Sequence, residues 1–138
     1  MRRLQLVAFS AQSLVNAWNY DHQPWLDFDA SEDVKQLFET RMKLVPYLKK
    51  AFIRYRDEGI PPIRSLICDY PEALHIEDEY IFGDMIVAPI APEKDEREVW
   101  LPEGEWVGYF DDKTYQGGLH TIKTDNIPVY FRKDDALI

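Results

Sequence analysis

The sequence is short of the residues that most often carry chemistry. It has one cysteine, Cys68. No intrachain disulfide can form, so the fold must hold without covalent staples, and a reducing, cytoplasmic setting is favoured. Cys68 sits in the strand-like run IRSLICDY and reads as a buried, inert thiol. Histidine is scarce: His22, His75 and His120 are the three in the chain. No two of them, and no Cys–His pair, have the spacing of a metal site. Glycine is scarce too, with six residues and no phosphate-cradling loop; Gly117 and Gly118 read as a turn. No G-x-S-x-G elbow or kinase signature occurs, and nothing indicates a cofactor. No apolar run approaches the ~18 residues of a membrane span. Positive charge is in the minority, 16 Lys and Arg against 25 Asp and Glu, for a formal net charge of −9. This balance argues against nucleic acid, whose backbone needs a basic footprint, and against anionic membranes. A neutral or cationic ligand suits it better.

What is present points to a globular chain. Its 138 residues are 46% hydrophobic and 14% aromatic, enough to bury about two thirds of the unfolded surface. The opening run MRRLQLVAFSAQSLVNAW has a basic start, but Gln5, Ser10, Gln12 and Ser13 interrupt its apolar stretch. It reads as an interior segment of a longer protein in preference to a signal peptide.

The character of the chain changes near residues 59–62. Before this point the period is helical. Residues 2–9 form the end of a helix, and SAQSLVNAW is a short strand or loop. The next helix is capped by Ser31 or Asp29. Along it Val34, Leu37, Phe38, Met42, Val45, Leu48, Phe52 and Tyr55 recur at spacings of three or four, as one apolar stripe over about seven turns. Pro46 is expected to kink or divide the helix, and Gly59 to stop it before Pro61 and Pro62. Past this boundary short strands are expected near 63–69, 84–90, 97–101, 105–110, 118–123 and 127–132. Turns are placed at LPEGE, DDKT, QGG and TDN, and the whole reads as an antiparallel β-sandwich. The long helix has no helical partner in the sequence. It must pack on the sheet, on a second copy, or on a part of the protein outside this chain.

Carboxylates are too numerous for any pair to stand out. PEKDERE reads as a solvated hairpin loop and Asp84 as an acceptor in a turn. Trp100 and Trp106 fall on strands and read as packing residues. A cluster of Trp18, Tyr20 and Trp25 with Asn16, Asn19, Asp21 and His22 is more informative. It mixes aromatic rings with amides and acids in an irregular segment, which suits a sugar: stacking faces beside hydrogen-bonding groups. The alternative is that Trp25, after Pro24, seats the loop on the core.

Several segments, in order, carry a resemblance: RRLQLVAFSAQSLVNAW, QPW, RMKLVPYLKKAF, GIPPIRSLICDYP, YIFGDMIVAPI, VWLPEGEWVGYF and IPVYFRKDDALI. Together they resemble the C-terminal part of glycoside hydrolase family thirty-one, the α-glucosidases and α-xylosidases. The resemblance implies an α+β fragment: residues 1–60 as the last part of a (β/α)₈ catalytic barrel, lacking the N-terminal remainder, and residues 61–138 as the proximal C-terminal β-sandwich. It also implies a retaining mechanism with an Asp nucleophile and an Asp acid/base on earlier barrel strands. Neither motif is in this chain, so no catalytic residue carries over. Family members often show Arg, one residue, then His at the end of the last strand. Leu14 and Asn16 hold those positions here. Barrel enzymes keep their sites on the loops after the strands, so Asn16, Trp18 and Trp25 are the expected substrate-binding residues. The function expected is that of a C-terminal fragment of an α-glycosidase, inactive by itself and able to self-associate through its helix stripe. The alternative is a free-standing β-sandwich module that binds carbohydrate or a protein.

Overall fold

The computed structural model describes residues 1–14, 21–22, 26 and 29–135. Two helices come first, α1 (Arg2–Ala8) and α2 (Ser31–Glu58). Six strands follow: β1 (Ile63–Ser65), β2 (Tyr80–Phe82), β3 (Met85–Val87), β4 (Glu96–Gly108), β5 (Thr114–Lys123) and β6 (Val129–Arg132). Among the described residues no helix is long and apolar enough to cross a membrane.

Helix α2 starts without the expected side-chain cap. Ala30 is the N-cap, and it makes no side-chain cap hydrogen bond. Asp29 instead takes a left-handed conformation, φ 50°. Glu32 and Asp33 supply negative charge to that turn, which favours a helix start electrostatically. The helix ends where the sequence says it should. Gly59 adopts φ 76°, and its N–H reaches the Tyr55 carbonyl at 2.9 Å. Pro46 does not divide the helix, which runs for 28 residues, about 42 Å. Pro46 and Met42 are both exposed, so the Met42 carbonyl that loses its intrahelical donor lies on the solvent side.

The buried stripe of α2 is narrower than the pattern suggests. Val34, Leu37, Leu44 and Leu48 are buried. Phe38 and Val45 are half-buried, while Met42, Phe52 and Tyr55 are 68%, 44% and 49% exposed. Leu44, which the expected stripe passed over, is 2% exposed.

The six strands form one antiparallel sheet in the order β1-β2-β3-β6-β4-β5. Alternation divides its short strands cleanly between two cores. Phe82, Met85, Val87 and Val129 pack with Phe9, Leu37, Leu44 and Leu48 of the helical half. Their neighbours Ile81, Ile86 and Tyr130 join the other core, with Leu66, Val99, Leu101 and Trp106. Val99 and Leu101 lie on the first half of β4, which among the described residues pairs only with β5, whereas Trp106 and Val107 pair with both β5 and β6 and Gly108 with β6. The first half of the β4–β5 hairpin therefore lies over the second face of its own sheet. A single hydrogen-bonded sheet does the work expected of two sandwiched ones.

A bulge allows this. Leu101 pairs with Gly118 and Glu105 with Gln116, so β4 carries extra residues between them. LPEGE and QGG, expected to be separate turns, face each other across this irregularity. Gly104 and Gly118 take φ 123° and 122°, and a Cβ on Gly117 would meet the Pro102 carbonyl oxygen at 2.6 Å. The Trp106 indole N–H donates to that same carbonyl at 2.8 Å. Arg132 lies over the Trp106 ring at 4.6 Å and donates to the Glu103 carbonyl at 3.0 Å.

Two smaller expectations are corrected. The run IRSLICDY stays extended only through β1, then turns into a 3₁₀ segment, Leu66–Cys68. Cys68 is consequently exposed, not buried.

Candidate functional site

The segment between α1 and α2 is the one the sequence marks for sugar contact. Its root is firmly built. Phe9 is fully buried and meets the rings of Phe82, Tyr109 and Phe110 edge-on, at 6.0, 5.8 and 6.0 Å. The Tyr80 hydroxyl donates to the Phe9 carbonyl at 2.9 Å, and burial pushes the Tyr80 phenol above its usual range. Arg41 then reaches across from α2. It donates to the carbonyls of Ala8 at 3.0 Å, Ser10 at 2.6 Å and Ala11 at 3.1 Å. One guanidinium thus holds the chain just as it leaves α1, where carbonyls have no helical partner. Leu14 follows, 67% exposed.

Asn16, Trp18 and Trp25 lie outside the described residues, as do Tyr20 and Asn19. Arg41 and Tyr80, which hold the root, were not singled out by sequence reasoning. Arg41 did leave a signal. It occupies the core register of α2 between Leu37 and Leu44, where a charged residue needs acceptors to be tolerated.

Two charged clusters lie elsewhere. Asp84, in the β2–β3 turn, serves as more than a turn acceptor. Its Oδ1 accepts from Arg54 of α2 at 2.8 Å, and its backbone N–H donates to the Tyr47 hydroxyl at 2.6 Å. Burial, with Asp84 nearby, pushes the Tyr47 phenol up to about 12. Gly83 is required here, since a Cβ on it would lie 2.5 Å from the Tyr47 ring. Arg64, itself buried, pairs with Asp69 and donates to the Gly83 carbonyl at 2.7 Å. These contacts tie α2, β1 and the β2–β3 turn together.

Glu79 stands in the second cluster, with 2% of its side chain exposed. Its Oε1 accepts from the Trp100 backbone N–H at 2.8 Å and from Arg97 at 3.3 Å, while its buried Oε2 meets no donor among the described residues. Burial pushes its carboxyl up to about 7, against the opposing pull of Trp100 N–H and Arg97. Glu79 precedes β2 and Trp100 lies on β4, so this contact joins the two layers of the sheet. Among the described residues no group of His, Cys, Asp and Glu could hold a metal ion.

Comparison with known proteins gives this architecture its context. Residues 59–137 match the glycosyl hydrolase family 31 C-terminal domain. An α-glucosidase of Saccharolobus solfataricus is 32% identical over 110 residues, covering 77% of this chain and 16% of the relative. Among solved structures, a GH31 α-xylosidase from a soil metagenome, complexed with xylose, superposes with TM-score 0.87 at 28% identity, over 99% of this chain and 25% of that one. A GH31 sulfoquinovosidase from E. rectale, bound to an aza-sugar inhibitor, superposes with TM-score 0.83 at 30% identity, over 97% of this chain and 22% of that one. The matched residues hold all six strands of the curled sheet. The chain belongs to glycosyl hydrolase family 31. It spans about a sixth of the α-glucosidase it resembles.

Proposed function

We propose that this chain works as the C-terminal part of a retaining α-glycosidase acting on α-glucosides or α-xylosides. Residues 1–60 are the end of its TIM-type barrel, residues 61–138 its proximal C-terminal β domain, and Asn16, Trp18 and Trp25 contact the sugar. One observation carries this reading. The likeness to the α-xylosidase covers 99% of the chain, so it includes the helical half that precedes the matched domain, yet amounts to a quarter of that enzyme. Support also comes from α2, whose exposed Met42, Phe52, Ile53 and Tyr55 suit a helix covered by further structure. In the isolated chain the same side chains favour self-association.

The barrel supplies the chemistry in this reading. Retaining hydrolysis needs two carboxyl groups about 5–5.5 Å apart, a nucleophile and an acid/base, and the chain contributes neither. It supplies a wall of the sugar site, rooted by Arg41, Tyr80 and Phe9. Purified chain assayed with p-nitrophenyl α-glucoside and α-xyloside is expected to show no turnover above buffer. Turnover abolished by replacing any single Asp of this chain overturns the division of labour. Coding sequence upstream of Met1 that encodes a βα repeat with two Asp motifs supports it.

A further inference from the structure

Beyond this reading, the surface carries further concavities. A cleft of about 320 Å³ lies under α2, but its Lys50, Arg54, Asp84, Asp134 and Asp135 make it a charged joint. A second concavity, of about 410 Å³, lies between the β4–β5 turn and the segment leading into β6. That volume is within the range of small-ligand sites.

Its walls are held rigidly. In the turn, Gly108 N–H donates to the Lys113 carbonyl at 2.9 Å and Asp112 N–H to the Gly108 carbonyl at 3.0 Å. The Asp111 carboxylate folds back beneath them, accepting from Lys113 N–H at 3.1 Å and from the Tyr115 hydroxyl at 2.6 Å. A Cβ on residue 108 would lie 2.1 Å from that carboxylate, and Asp112 sits at φ 55°. A non-Gly residue in this region is strain kept where the surroundings over-determine it. The opposite wall is pinned by Arg2, which donates to the carbonyls of Thr124, Asp125 and Asn126 at 2.9, 2.9 and 3.0 Å.

The lining combines rings with uncommitted polar groups. Tyr109, Phe110, Tyr115 and Tyr130 contribute aromatic surface. Phe110 is 37% exposed, whereas Tyr130 is only 3% exposed yet still lines the cleft. The hydroxyls of Tyr109 and Tyr130 and the side-chain amide of Asn126 make no hydrogen bond with the described residues. The charges, by contrast, are spoken for: Lys123 pairs with Asp95 at 3.0 Å, and Asp111 with Lys113 at 4.0 Å and with the Tyr115 hydroxyl. A site with satisfied charges, open hydroxyl and amide groups, and aromatic walls selects a neutral polyhydroxylated ligand with an apolar face.

We infer that this cleft is a non-catalytic binding site for a neutral pyranose unit. Preorganised walls reduce the ordering cost that an open loop would incur. The site does not depend on the presence of a barrel, so its test stands apart from the glycosidase assay. The full 138-residue chain, isotope-labelled, is titrated with maltose and followed by NMR. Saturable binding in the millimolar range is expected, with shifts centred on Tyr109, Phe110, Tyr115 and Asn126. Tyr109→Phe and Asn126→Ala should each weaken it about fivefold without lowering the melting temperature. Absence of saturable shifts overturns the proposal. So do shifts concentrated in residues 10–30 that neither variant alters, an outcome that would leave the catalytic-wall reading intact.

Discussion

In the sheet, both faces are covered, one by the helices and the other by its own β4–β5 hairpin: Phe82 and Val87 on the first, and Ile81, Ile86, Val99 and Trp106 on the second, are 1% exposed or less. In α2 only one stripe is closed, and Met42, Phe52, Ile53 and Tyr55 remain open. The difference follows from how each half finds a partner. The β4–β5 hairpin bends at its bulge and supplies the second layer itself. A straight helix cannot bend onto its own far side and must wait for another element.

Substitutions can break that contrast at its strongest point. Trp106→Ala removes the fully buried ring that joins the bulge to Arg132 and should cost about 3–5 kcal/mol by urea unfolding. Leu44→Ala, in the helix–sheet core, should cost about 2–4 kcal/mol. Equal, small effects at both positions would mean that neither core is the one described.

The layer contact at Glu79 makes the contrast depend on pH. Its carboxyl titrates near 7 in the fold against an ordinary value of 4.5, so the folded chain keeps a proton that the unfolded chain gives up. Its contribution to stability is full below about pH 4.5, declines through the window from 4.5 to about 7, and is lost above it. The upper bound of that loss is about 3 kcal/mol. Asp69 acts in the opposite sense at lower pH, because Arg64 holds its carboxyl below the usual range. Glu79→Gln should flatten the decline between pH 5 and 8 and raise the melting temperature at pH 8. A decline that persists unchanged in the variant would locate the pH dependence elsewhere.

Smallest of all should be changes on the open face. Met42→Ser and Phe52→Ser are expected to alter stability by no more than about 0.5 kcal/mol, while shifting the chain toward monomer in sedimentation. A large loss of stability would show that the helix is already covered.

The sequence revealed these two halves unequally, for physical reasons. The end of α2 was legible because Gly59 followed by Pro61 and Pro62 leaves the chain no other choice. The burial of Trp106 was legible from alternation. The curl of the sheet was not. Pro102, Gly104, Gly117 and Gly118 are the chemistry of a reverse turn and equally of a bulge, and only the pairing of Leu101 with Gly118 separates the two. The exact face of α2 was hidden because apolar residues occupy more of its circumference than the sheet covers. Membership in the family was visible from the ordered segments. The sugar contacts proposed for Asn16, Trp18 and Trp25 rest on residue type, since all three fall outside the described positions.

The bulge has a consequence for how this domain comes apart. Since one hairpin belongs to both layers, neither layer can leave while the other stays. Val99 and Trp106 lie on the same strand, on either side of the bend, and both are buried in one core. Peeling the outer half away would strip the inner half of its cover and expose the backbone of β2 and β3. The domain should therefore open as one cooperative unit, with the amide protons of β3, β4 and β6 exchanging with solvent at a common free energy rather than in steps.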